Sequence, residues 1–154
     1  MAMFEAGIAP AFAASGNVTF EGTIDTNASS TVTVRQNGRF GISSDFRTLS
    51  SKIAGGQVGI ADVFAMGSYS VSATMFPILN AAPSGGTTGT MLQPLFSGTS
   101  ILLGANFAER PGTSPVALPL GVSLTRINTH LVATRTGSMF ATGLYQGIIV
   151  VRCE

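Results

Sequence analysis

His130 is the only histidine in this chain, so a Ser–His–Asp triad would have to use it as the general base. It lies in the stretch THLVAT, where alternation places it on the opposite strand face from Leu131 and Ala133. The sequence contains neither a G-x-S-x-G turn, which presents a catalytic serine, nor a phosphate-binding loop. We therefore interpret His130 as a strand residue on a polar or partly covered face.

Carboxylates and metal ligands are also poorly placed for chemistry. The seven acidic residues are scattered along the chain, whereas glycoside hydrolysis needs a facing pair. The sequence has no H-x-x-x-H pair and no calcium-loop spacing. Its single cysteine, Cys153, excludes an internal disulfide and leaves too few thiolates for a zinc or iron–sulfur site. The sequence therefore predicts a protein that is not an enzyme and holds no metal or cofactor.

The composition favours a secreted or assembled β-protein. Charged residues make up 10% of the 154 residues, against roughly 25% in an average soluble domain. The net charge is +1 with no basic run, which argues against nucleic-acid binding. No apolar run reaches the roughly 18 to 20 residues that span a bilayer, so we expect no membrane span.

The first fourteen residues, MAMFEAGIAPAFAA, are apolar and end in the small-residue pattern of a signal-cleavage site. We interpret residues 1–14 as the remnant of an export signal. The alternative is an apolar arm that stays in the mature protein. The first interpretation predicts a secreted protein.

Most of the chain alternates with period two, which indicates β-strands. The clearest alternating segments are 16–25, 29–36, 68–76 and 129–137, while 99–107 is a further apolar run and 143–153 is the strongest terminal strand. Asn37-Gly38 predicts a turn. A helical pattern occurs only within 45–66, where Asp45 could cap a helix of at most two turns.

Seven or eight short strands separated by Gly, Pro and Ser predict an all-β fold. We expect an immunoglobulin-like antiparallel β-sandwich, with a jelly roll as the alternative.

Two segments carry a resemblance to a known family. The segment GNVTFEGTI, 16–24, resembles the start of mature chaperone–usher pilins, where a V-x-F-x-G-x-I/V extension follows the cleavage site. The segment ATGLYQGIIVVRC, 141–153, is similar to the ending of spore-coat-U-type secreted pilin domains. The resemblance implies an immunoglobulin-like sandwich that lacks its final strand and receives the extension of a neighbouring subunit.

The resemblance also implies roles for particular residues. Those of the donor strand are Val18, Phe20, Gly22 and Ile24, and those of the C-terminal strand are Tyr145, Gly147, Ile149 and Val151. The chain would then comprise the apolar segment 1–14, a donor strand at 15–25 and a sandwich domain at 26–154. This chain departs from the family in having no early disulfide and in having Cys153 at the penultimate position.

The function implied is that of a structural subunit of an extracellular fibre, a pilus or fimbria. Its partners would be copies of itself, a periplasmic assembly chaperone and an outer-membrane usher.

Two alternatives stay open. Residues 16–25 could be an ordinary first strand within their own domain. A viral or phage capsid or decoration protein with a jelly-roll fold would also suit the low charge. A carbohydrate-binding module is less favoured, because Trp is absent and Tyr69 and Tyr145 are the only tyrosines.

Overall fold

The computed structural model describes residues 30–75, 79, 82 and 89–154, together with the backbone of 14–22. All regular structure in these ranges is β-strand. The strands are β1 (Ala14–Gly22), β2 (Ser30–Gln36), β3 (Gly38–Ile42), β4 (Thr48–Ser50), β5 (Gly59–Met66), β6 (Ser70–Met75), β7 (Thr90–Leu102), β8 (Phe107–Pro111), β9 (Val116–Ala117), β10 (Val122–Arg135) and β11 (Gly143–Cys153).

The predicted all-β class is confirmed, but the helix predicted within 45–66 is wrong. This segment contains β4 and β5, joined by turns around Gly55. Leu49, which the helical pattern used, lies in β4 opposite Ala133 of β10 and is fully buried. Gly55 has a φ of +83°, which is incompatible with a continuing α-helix. Strand pairing therefore overrides the local helical pattern.

The strands form two packed layers. One has the order β2-β5-β10-β7-β8, and the other has the order β1-β11-β6-β9. Short β3 pairs with β4 on the first side and with β1 on the second. Since β2 pairs with β5 whereas β3 pairs with β4 and β1, Asn37 links two strands that do not pair with each other, and the predicted turn does not form a hairpin. Among the described strand pairs, β1 with β11 is the parallel one.

The core lies between the layers and follows the predicted alternation. The strand β10 buries Ile127, Leu131 and Ala133 completely, and β11 does the same with Tyr145 and Ile149. Each large apolar side chain removed from water in this way stabilises the fold by about 1.5–3 kcal/mol.

A backbone junction at Gly112 joins the layers on the side away from β3. Its N–H donates to the carbonyl oxygen of Pro94 in β7 at 2.9 Å, and its own carbonyl oxygen accepts from Ala73 N–H in β6 at 3.0 Å. A Cβ at position 112 would collide with the Ala73 carbonyl oxygen. The two layers are therefore linked by backbone hydrogen bonds along both sides.

A charged cluster ties three strands together on the outer face of the first layer. Asp62 of β5 is 5% exposed and accepts from Arg126 of β10 at 2.8 and 3.0 Å and from Arg35 of β2 at 2.8 Å. Arg35 reaches the carboxylate because the register shifts between Val34 and Gln36. The hydrogen bond from Arg126 holds the pKa of Asp62 below its ordinary 3.8, while burial opposes this shift.

We expect Asp62→Asn to lower the free energy of unfolding by roughly 1–3 kcal/mol at neutral pH, because two guanidinium groups lose their counter-charge. A carboxylate with a depressed folded pKa contributes stability above its unfolded pKa and loses it at lower pH. The deficit of the variant should therefore shrink as pH falls below 3.8. Urea unfolding at several pH values measures this. A deficit that is independent of pH would contradict the ionic role of Asp62.

Candidate functional site

The strand β1 fills the gap between β3 and β11. Its nine residues pair in parallel with β11, from Ala14 opposite Gly143 to Gly22 opposite Val151. On its other edge it pairs with β3 from Gly16, opposite Phe40, to Val18, opposite Gly38. We call this gap the slot. The sequence predicted an extended segment at the position of β3, but not that this strand would form one wall of the slot.

The structure brings together the two sets of residues predicted from the sequence. Val18 lies opposite Gly147, Phe20 opposite Ile149 and Gly22 opposite Val151. Tyr145 lies opposite Gly16. Ile24 and residues 1–13 lie outside the described residues, so the predictions that concern them stay predictions. All of this pairing is within one chain, as in the alternative of an ordinary first strand, and insertion into a neighbouring chain also stays a prediction.

The predicted residues of β11 form the wall of the slot and part of the core. Tyr145, Gly147, Ile149 and Val151 are all buried, whereas Leu144 and Arg152 are exposed. The alternation follows from the pleat, which turns successive side chains to opposite faces. The strand that occupies the slot therefore pairs with the backbone of a core strand.

Tyr145 fixes the beginning of β11. Its hydroxyl donates to the Ala141 carbonyl oxygen at 2.7 Å, and its ring packs edge-on against Phe140 with centroids 5.2 Å apart. Burial is the main cause that raises the pKa of this phenol. The loop before β11 is thereby held against the beginning of β11.

Gly147 lies where β11 packs closely on the opposite layer. A Cβ at this position would stand 2.5 Å from Leu131 Cδ2 and 3.5 Å from Leu79 Cδ2. Real Cβ atoms do not approach other atoms as closely as 2.5 Å, so with a larger residue either the buried Leu131 side chain or β11 would have to shift. Gly147 is also the register partner of Val18, so a shift of β11 would displace the middle of the slot.

Without β1, the slot would expose two backbone edges. The strand β11 would lose its partner along Gly143–Val151, and β3 would lose its partner along Gly38–Phe40. Unpaired N–H and C=O groups on an edge form a template for another strand. The chemistry that the slot supports is therefore recognition of an extended backbone.

In the part of the chain that the structure describes, the hydrogen bond of His130 is with Ser51 and not with an acidic side chain. The buried Ser51 hydroxyl accepts from Leu131 N–H at 3.1 Å and lies 2.9 Å from His130 Nδ1. A serine hydroxyl has one donor and two acceptor lone pairs, so Ser51 either donates to Nδ1 or accepts from it, according to the tautomer of the ring. His130 is half-buried while Leu131 and Ala133 are fully buried, as the alternation predicted.

Burial lowers the pKa of His130, the negative charge of Glu109 opposes this, and Lys52 lowers the pKa further. The arrangement holds the turn after β4 against β10 and stabilises the neutral ring.

Cys153 is buried at the end of β11. Burial raises the pKa of its thiol. Reaction requires the thiolate, so the thiol is protected in this fold.

The described residues contain no cluster of three or more His, Cys, Asp or Glu suited to a metal ion. In the same part of the chain, no helix is long and apolar enough to cross a membrane.

A scan of protein-family models finds no match to this chain, and a search of curated proteins finds no significant relative.

We expect Gly147→Val to lower the free energy of unfolding by roughly 1–3 kcal/mol, because the added atoms overlap Leu131. Gln146→Val is the matched control, since Gln146 is half-buried on the other face of β11 and should change stability by less than about 0.5 kcal/mol. Chemical denaturation of both variants tests this. Equal effects would show that Gly147 is not required for the close packing.

A depressed folded pKa for His130 means that the folded state binds fewer protons than the unfolded state just below pH 6.5. Stability should therefore be full above pH 6.5, fall as the pH drops from 6.5 towards the folded pKa, and level off below the folded pKa. His130→Gln should remove this part of the pH dependence. A stability profile that is unchanged in the variant would contradict the burial argument.

Proposed function

We propose that this chain is a structural, non-enzymatic subunit of an extracellular fibre, a pilus or fimbria, and that its N-terminal strand is the joint between subunits. The observation that carries the proposal is the position of β1. This strand completes a layer next to β11, the last strand of the chain, although it comes from the opposite end of the sequence.

The strand order supports an immunoglobulin-like sandwich over a jelly roll. In the seven-stranded immunoglobulin fold, one sheet has strand order first-second-fifth-fourth and the other contains the third, sixth and seventh. When the short strands β3, β4, β8 and β9 are left out, the first to sixth strands are β2, β5, β6, β7, β10 and β11. The layer β2-β5-β10-β7 then has the order first-second-fifth-fourth. The other contains β6 and β11, and β1 occupies the place of the seventh strand.

The direction of β1 also supports an added strand. A seventh strand that followed β11 through a short hairpin would be antiparallel to it, whereas β1 is parallel. One covalent connection, 23–29, attaches β1 to the rest of the sandwich. Exchange of such a terminal strand between copies costs little, because the same backbone hydrogen bonds form in the neighbour. Protein concentration then shifts the balance between self-pairing and exchange.

The proposed assembly implies export and helper proteins. Before joining, the slot would need an occupant to shield its edges, and β1 itself or a periplasmic chaperone could take that place. An outer-membrane usher would then order the addition of subunits. Both partners follow from the resemblance to chaperone–usher pilins, and the principal partner is a second copy of this chain.

One observation favours the alternative, a viral or phage capsid or decoration protein. The strand β1 pairs within its own chain, so each subunit is complete without a neighbour. Subunits of that kind would associate through their surfaces and keep their own β1.

Cysteine cross-linking between separately labelled chains distinguishes exchange from self-pairing. In a Cys153→Ala background, one preparation carries Asn17→Cys and the other carries Gln146→Cys, the register partner of Asn17. After mixing under assembly conditions and oxidation, exchange predicts a disulfide-linked heterodimer. Ile148→Cys, used in place of Gln146→Cys, tests insertion in the reverse direction. If β1 is reversed about the central pair Val18–Gly147, Asn17 lies opposite Ile148.

Arg152→Cys is the control for random collision, because Arg152 is exposed and has no partner in β1. A heterodimer with Gln146→Cys or Ile148→Cys but not with Arg152→Cys supports exchange. If no mixture cross-links above this control at any concentration, each chain keeps its own strand and the fibre proposal is wrong.

A further inference from the structure

The connection 23–29 leaves β1 and enters β2 at the same end of the sandwich, which we call the hinge end. On one side of the connection, Gly22 lies opposite Val151, near the end of β11. On the other side, Ser30 lies opposite Ala65, near the end of β5. Even a fully extended backbone from Gly22 to Ser30 spans no more than roughly 30 Å. The connection therefore keeps any sandwich that β1 enters close to the hinge end of the sandwich that it leaves.

Backbone hydrogen bonds show that these strand ends lie together. Ser70, the first residue of β6, exchanges two of them with Glu154, which directly follows β11, at 2.7 and 2.9 Å. Gly67, which directly follows β5, donates its N–H to the carbonyl oxygen of Gly121, just before β10, at 3.1 Å. The hinge end thus contains the ends of β5 and β11 and the beginnings of β2, β6 and β10.

Large apolar side chains are exposed at the hinge end. Leu120, in the loop before β10, is 82% exposed, and Leu103, which bridges to Leu124 of β10, is 71% exposed. Met66 and Val122 lie opposite each other and are exposed as well. We call Met66, Leu103, Leu120 and Val122 the hinge patch. Exposed apolar groups that are gathered at one place indicate an interaction surface.

Entry of β1 into a second copy in the observed register would bring two hinge ends together. Gly22 of one copy would lie beside Val151 of the other, and the connection would return from there to Ser30 of the first copy. The β1 strand of the second copy leaves from the same end, so it reaches the slot that the first copy has vacated. The two copies then fill each other's slots. This step rests on the strand exchange of the proposed function.

We propose that this reciprocal exchange forms a closed pair, in which the hinge patches of two copies pack on each other. Two identical surfaces in contact are self-complementary about a two-fold axis, and such a contact closes. Exchange preserves the backbone hydrogen bonds of β1, so burial of the hinge patches is the interaction that the pair gains over two self-paired chains. The closed pair keeps neither a free slot nor a free strand, so it withholds subunits from the fibre.

A strand that enters in the reverse direction gives a different assembly. If β1 is reversed about the central pair Val18–Gly147, Gly22 lies beside Gly143, at the other end of β11. The hinge end of the accepting copy then stays free, and its own β1 can enter a third copy. The direction of entry therefore separates the closed pair from a growing fibre.

A chain that carries both Asn17→Cys and Gln146→Cys in the Cys153→Ala background reports the closed pair. After oxidation, the closed pair contains two disulfides between chains and no free thiol. An open pair keeps one free thiol on each chain, and a self-paired chain forms its disulfide internally. We expect dimers without free thiols, whose share rises with protein concentration, and no ladder of larger species. Non-reducing electrophoresis and thiol titration measure this.

Charges introduced at Leu120 test the contact between hinge patches. Leu120→Asp should raise the dissociation constant of the pair about tenfold or more, because a charge then replaces an apolar group in the contact. Leu120→Lys should do the same. An equal mixture of the two variants should recover pairing, because opposite charges then meet at one two-fold contact.

Met139→Asp is the matched control. Met139 is also an exposed apolar residue in a loop, but this loop joins β10 to β11 at the opposite end of the sandwich. The control should leave the dissociation constant unchanged. Sedimentation of the reduced chains against concentration measures pairing, and thermal unfolding verifies that each variant keeps its fold.

The outcomes separate the two proposals. If neither Gln146→Cys nor Ile148→Cys links separate chains to Asn17→Cys, strand exchange is absent and both proposals are wrong. If Ile148→Cys alone links chains, as a ladder, the fibre joint stands and the closed pair is overturned. Closed dimers that Leu120→Asp does not weaken, or that Met139→Asp weakens equally, overturn the contact between hinge patches. Closed dimers weakened at Leu120 alone, with recovery in the mixture, support it.

Discussion

The backbone pairing between β1 and β11 is the interaction on which the rest of this structure depends. It joins the N-terminal strand to the last strand of the chain and fills the space beside β3. Backbone hydrogen bonds of this kind depend on the direction and register of the strand, but not on which chain supplies it. The sandwich is therefore completed by a strand that pairs through its backbone groups, which any extended chain carries.

The distribution of polar and apolar groups is consistent with this arrangement. The middle of the outer face is held by the Asp62 cluster, whose charges are satisfied within the chain. Among the described residues, the exposed large apolar side chains lie toward the ends of the strands. Covering the middle of the face would desolvate charges, which is costly, whereas covering the ends would bury apolar surface.

Side-chain chemistry contributes to stability here. Ser51 and His130, which a search for catalysis would select, hold a turn against β10. The phenol of Tyr145 anchors a loop, and the thiol of Cys153 is buried. Each of these groups is engaged in packing or in hydrogen bonds that stabilise strands.

The amino-acid sequence by itself determined the all-β class and the buried faces of strands such as β10 and β11. The alternation in β10 and β11 identified Leu131, Ala133, Ile149 and Val151 as residues of one face, because the pleat that alternates side chains is a local property. The tertiary structure alone decided which strands pair. Leu49 joined a strand despite a helical pattern, the predicted turn at Asn37 formed no hairpin, and β1 ran parallel to β11. These outcomes depend on backbone hydrogen bonds between residues distant in sequence, which nearly any strand can make, and local residue patterns therefore do not specify them.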